Sequence, residues 1–119
     1  MIRMSSLGAA VITVSVIVMS HPALSAPDAS TGEALAKSAC AYCHVVAPDQ
    51  GFAPISRPQG PDFAVIAANA KNTAGRLRMF LMTTHQNVGK SSAGMPNPLL
   101  TNDQIADIVS YILSLRTGS

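Results

Sequence analysis

Cys40-Ala41-Tyr42-Cys43-His44 is the stretch of this chain best equipped to do chemistry. Two thiols three positions apart on a helical turn can each add to one vinyl group of a haem, and the adjacent imidazole is then carried beneath the iron. Cys-x-x-Cys-His reads as covalent haem attachment, and a histidine is a standard proximal ligand. The chain has only these two cysteines. Six-coordinate iron needs a second axial ligand, and Met95, followed by Pro96, is the downstream candidate.

The same residues admit other readings. A thioredoxin-like redox centre requires a strand–helix–strand context, and no strand pattern surrounds the cysteines. A structural zinc site takes four ligands, whereas this cluster offers three. A disulfide between Cys40 and Cys43 would close too small a loop to stabilise much. His85 rivals Met95 for the sixth position, although a histidine at a helix end more often caps carbonyls or stays solvated. Met79 and Met82 suit core or surface filling, and Lys90 is a solvated lysine or a docking charge. A haem enzyme or gas sensor would need an open distal position with an acid/base residue above it, and no Arg/His pair near His85 supplies one.

The elements that must position these groups follow a leader. Arg3 gives a positive start, residues 7–19 are apolar, and Ala23-Leu24-Ser25-Ala26 offers small residues for cleavage. That order predicts a secretory signal peptide over residues 1–25, removed after Ser25, with residues 26–119 as one domain. The apolar run falls short of the roughly 20 residues a membrane span requires, so no stable membrane insertion is expected. Eight basic residues face six acidic ones, and Arg3 leaves with the leader. The remaining basic residues are scattered rather than striped, which argues against a nucleic-acid surface. A domain this small struggles to bury enough surface unaided, and its aromatics are only Tyr42, Phe52, Phe63, Phe80 and Tyr111. A large flat apolar cofactor would complete such a core.

Residues 26–30 read as a flexible start, and Ser30 with Glu33 as a capping box opening a helix that runs into the haem motif. Residues 45–61 carry Pro48, Gly51, Pro54, Pro58, Gly60 and Pro61, which predicts a long irregular loop. Pro61 suits the first position of a short helix over residues 62–69. Thr73 caps the next, with Leu77, Phe80, Leu81 and Thr84 as its apolar stripe and an end near His85. Residues 86–100 form a second irregular loop. Thr101 with Gln104 makes a capping box for the clearest helix, placing Ile105, Ile108, Val109, Ile112 and Leu115 inward and Asp103, Asp107 and Arg116 outward, with Gly118 as its stop. No strand pattern appears, so the fold class is all-α, with about four short helices and long loops.

Taken together, these residues resemble a small class I c-type cytochrome along essentially all of the domain. The likeness is carried by Gly32 eight positions before Cys40, the haem motif, Gly60-Pro61-Asp62-Phe63, Met95-Pro96, and Asp107-Ile108-Val109-Ser110-Tyr111-Ile112 near the end. The resemblance implies one covalent haem c held by Cys40 and Cys43, with His44 and Met95 as the iron's axial ligands. It implies that the N- and C-terminal helices cross where Gly32 meets Tyr111. An aromatic often stands four residues after that glycine in the family, and this chain has Ala36. The free nitrogen of His44 would be held by a backbone carbonyl of the Gly-Pro turn, that of Pro61, with Pro54 as a fallback. Thioether sulfur is soft and uncharged, so His/Met ligation favours reduced iron. Pro96 would stiffen the loop presenting it, and Gly94 would give the backbone room.

The resulting expectation is an exported, monomeric electron carrier of the bacterial periplasm, not an enzyme. It would pass one electron at a time between transient redox partners. The alternative is a haem subunit that accepts electrons within a larger exported oxidoreductase.

Overall fold

The computed structural model describes residues 15–17, 25–83 and 95–116. Thr84, His85, Lys90, Gly94, Gly118 and most of the leader lie outside the described residues, as does the first part of the second loop, residues 86–94. Four helices follow in order: α1 (Ala29–Ala39), α2 (Phe63–Ala68), α3 (Ala74–Met82) and α4 (Asn102–Ser114). No strand occurs among the described residues, and no helix among them is long and apolar enough to cross a membrane. The all-α expectation holds.

α1 begins earlier than its sequence suggests. Its cap is Asp28 rather than Ser30: the carboxylate accepts from the Ser30 amide at 2.9 Å and from the Thr31 hydroxyl at 2.8 Å. A carboxylate answers both the orphan amides and the positive helix end. Glu33 closes no capping box, because it pairs with Lys37 one turn on at 2.7 Å. Nor is the segment before α1 loose, since the Asp28 amide donates to the Asp107 carboxylate of α4 at 2.8 Å.

That bond marks the crossing of α1 and α4. Gly32 is buried there, and a β-carbon on it would fall inside the Asp107 carbonyl and 2.9 Å from the Tyr111 β-carbon. Glycine is required for so close a backbone approach. Ala36, one turn on, is fully buried; the seam is too tight to need the larger side chain. Tyr111 leaves the crossing to donate its hydroxyl to the Val46 carbonyl at 2.7 Å. α4 thus pins the loop behind the haem motif.

The other caps fall close to expectation. Thr101 and Gln104 form the reciprocal box at the start of α4, and Thr73 caps α3. Pro61 stands just outside α2, whose cap position is Asp62. α4 buries Ile105, Ile108, Val109, Tyr111 and Ile112. On α3 Leu77 and Leu81 are buried, whereas Phe80, Met79 and Met82 remain exposed. α3 ends at Met82. Arg116 is exposed, as expected, yet its side chain folds back onto the end of α2.

Candidate haem site

The last turn of α1 flows directly into the motif. The Cys40 amide continues the helix by donating to Ala36 at 2.9 Å, and the amides of Cys43 and His44 then both donate to the Cys40 carbonyl. This tight turn brings both sulfurs and the imidazole to one side of the chain. Cys40 is buried and Cys43 half-buried, and they are not joined to each other. Burial, and secondarily the neighbouring Cys43, pushes the Cys40 thiol up to about 11. No strand flanks the pair among the described residues, which counts against a thioredoxin-like centre.

His44 is held from three directions. Its Nδ1 lies 2.7 Å from the Pro61 carbonyl oxygen. A carbonyl can only accept, so Nδ1 carries the proton and Nε2 keeps its lone pair for a metal. Pro61 is therefore the acceptor that the resemblance implied; the Pro54 carbonyl takes the Arg57 guanidinium instead, at 2.9 Å. The Phe63 ring packs on the imidazole with centroids 5.6 Å apart. Gly60 closes the third side: a β-carbon there would strike the imidazole, coming within 2.7 Å of Nδ1. Its amide donates to the Cys43 carbonyl at 2.7 Å, and that of Phe63 to Val45 at 2.9 Å. The Gly60-Pro61 turn thus folds back over the motif as a backbone clasp.

Cys40, Cys43, His44 and Met95 all line one cavity of about 860 Å³. Its lining comes from the motif, the loop at Ser56–Pro61, α2 and α3 from Phe63 to Leu81, Met95-Pro96, and the α4 residues Ile108 and Ile112. Met95 is half-buried and packs against the shared core, followed by Pro96 at the cavity edge. Arg57 and Arg76 also line it, and no carboxylate does so among the described residues. Sequence reasoning passed over both arginines, as well as Asn72 and the contact of Gly60 with the imidazole. The pair Gly60-Pro61 was the available signal for that contact; nothing local marked Asn72 or Arg76 as cavity residues.

The sequence profile of the cytochrome c family matches residues 29–116, a span that includes all four helices and the whole cavity lining. The chain belongs to the cytochrome c family. It is 36% identical over 91 residues to cytochrome c-552 of Bradyrhizobium diazoefficiens, a match covering 76% of this chain and 78% of that protein. No solved structure matches it significantly. It is a small class I c-type cytochrome of the bacterial kind, carrying covalent haem c, and haem-based electron transfer is the activity of this family.

The cavity fits that cofactor. A space of about 860 Å³ falls within the roughly 300–1,000 Å³ typical of cofactor sites. Leu77, Leu81, Ile108 and Ile112 give it apolar walls. Arg76 and Arg57, whose Nη1 is already given to the Pro54 and Ser56 carbonyls, would be the cations available to the two carboxylates of a haem. The two thiols and the imidazole stand in covalent sequence at one wall.

Proposed function

We propose that this cytochrome is a one-electron carrier whose haem is bonded through thioethers at Cys40 and Cys43 and ligated by His44 Nε2 and Met95 sulfur. The observation that carries the reading is the Nδ1–Pro61 bond, which leaves Nε2 as the free nitrogen of a ring sharing its cavity with Met95. The haem supplies iron that alternates between two oxidation states. The chain's own residues keep the change small. Pro61 fixes the imidazole's tautomer and tilt, Gly60 and Phe63 fix its plane, and Pro96 stiffens the backbone beside the sulfur. With His44 and Met95 both given to the iron, no position on it would be left for a substrate, which suits a carrier rather than an enzyme.

The leader over residues 1–25 is removed on export, and the remaining monomer works in the periplasm between transient redox partners. Docking of such carriers is small in area. A second reading, a fixed haem subunit of a larger exported oxidoreductase, is favoured by the exposure of Tyr42, Phe52 and Ile55 beside the motif. Retention of a larger chain through gentle purification at raised salt would select it over the free carrier.

Spectra of the oxidised and reduced wild type, Met95→Ala and His85→Ala test the ligand set. Met95→Ala should abolish the sulfur-to-iron charge-transfer band and let carbon monoxide bind the reduced form at once, while His85→Ala should leave both unchanged. Survival of the band in Met95→Ala overturns the assignment. The mass of the exported product should equal that of residues 26–119 plus one haem.

A further inference from the structure

Arg116 follows α4 and, by its place on the helix wheel, belongs among solvated charges. It is exposed, and its guanidinium nonetheless makes three bonds to main-chain carbonyls. Nε donates to Ala67 at 2.6 Å, and Nη2 donates to Asn69 at 3.1 Å and to Asn72 at 2.6 Å. These acceptors belong to the last turn of α2, its C-cap and the turn leading into α3. All are carbonyl oxygens at or beyond a helix C-terminus, where orphan acceptors and negative partial charge coincide. A planar fork with five donors can serve three such acceptors at once, which a lysine ammonium on a flexible stem does less well.

The corner so gripped is also a wall of the haem cavity. Ile66, Asn72 and Arg76 line it, and the Asn72 side chain donates to the Ile66 carbonyl at 2.9 Å. Asn72 therefore faces two ways. Its side chain ties the wall together at the cavity, while its own carbonyl is held from behind by Arg116. α4 contributes Ile108 and Ile112 to the same cavity, so the guanidinium joins two walls of one chamber.

We propose that Arg116 is a positioning residue for the haem: by clamping the α2–α3 corner to the end of α4, it keeps Ile66, Asn72 and Arg76 closed on the cofactor and limits access of water and small ligands to the iron. The inference rests on the haem occupying this cavity. Oxidised haem carries one more positive charge than reduced haem. Water admitted by a loosened wall favours that state, and burial is one of the levers that set a haem's potential. A looser wall also lets an outside base compete for the sixth position.

The test uses the purified, haem-loaded protein and its Arg116→Ala and Arg116→Lys variants. The readouts are midpoint potential and the affinity of the oxidised form for imidazole. Arg116→Ala should lower the potential and bind imidazole about tenfold more tightly, the factor that corresponds to losing roughly one charge-assisted hydrogen bond. Arg116→Lys should lie between it and the wild type, because the ammonium retains part of the carbonyl bonding. Wild-type potential and imidazole affinity in Arg116→Ala, whatever its melting temperature, would reduce Arg116 to a stabilising cap and overturn the proposal. Should Arg116→Ala yield no haem-loaded protein, Arg116→Lys and Asn72→Ala carry the decision: both must shift the two readouts in the stated directions, and no shift sinks it. The Met95→Ala spectrum separates this outcome from failure of the ligand assignment, since the sulfur band reports Met95 irrespective of the corner.

Discussion

The α1–α4 crossing and the cavity wall formed by α2, α3 and the Met95 strap are held by different means. At the crossing the chain binds itself. Gly32 lies against the Asp107 carbonyl, Asp28 joins the two helices, and Tyr111 reaches through to Val46. Across the cavity, Leu77, Leu81, Ile108 and Ile112 present apolar surface to a space of about 860 Å³. Those walls meet one another only in part, and the haem is their common partner. One half of the domain is packed by protein, the other by protein around cofactor.

The strongest way to break that contrast is to withhold the haem. A Cys40→Ala, Cys43→Ala double variant should lose its cooperative thermal transition, and any helicity left should map to α1 and α4 by hydrogen exchange. A cooperative, fully helical apoprotein would show that the cavity half supports itself. Next in size is Gly32→Ala, which places a methyl where the Asp107 carbonyl stands. The expected loss is about 3 kcal/mol, at the upper end for overpacking, measured by denaturant titration of the holoprotein with its visible spectrum unchanged.

Gly60→Ala is the matching change on the haem side. Its methyl meets the imidazole instead of backbone, so the ring tilts and the spectrum moves, at a stability cost of about 1–3 kcal/mol. An unaltered haem spectrum in Gly60→Ala would contradict the clasp. The smallest effect belongs to Tyr111→Phe, which removes one buried hydrogen bond worth about 1 kcal/mol. It also carries a pH signature. Burial, reinforced by Glu33, raises the Tyr111 hydroxyl above its ordinary value of 10.0. A raised folded value means the folded state keeps its proton longer than the unfolded chain does. The contribution is therefore complete below pH 10.0 and is lost as pH rises through the folded value. Tyr111→Phe should flatten that part of the alkaline stability profile.

What the sequence disclosed divides along the same line. The haem motif, the Thr73 cap and the Thr101–Gln104 box are written in adjacent residues, so local chemistry finds them. The Gly32–Tyr111 contact and the Pro61 carbonyl came through family resemblance, because each joins positions far apart in the chain. Asp28 took the role given to Ser30 through its own bonds to the Ser30 amide and the Thr31 hydroxyl, a local signal that the Ser30–Glu33 spacing overshadowed. Arg116 shows the long-range limit: a charge on a helix's polar face reads as solvated until the carbonyls of another element are known to lie beneath it. Phe80 sits at helical spacing with Leu77 and Leu81 but keeps substantial exposure, since the cavity and not a protein core lies on that side.

The Gly60-Pro61 clasp divides the motif by access. Gly60 lies across the imidazole and ties its amide to Cys43, whereas both cysteines line the cavity. The backbone that holds the imidazole in one tautomer therefore leaves the two thioether-forming residues on the wall of the chamber that a haem fills.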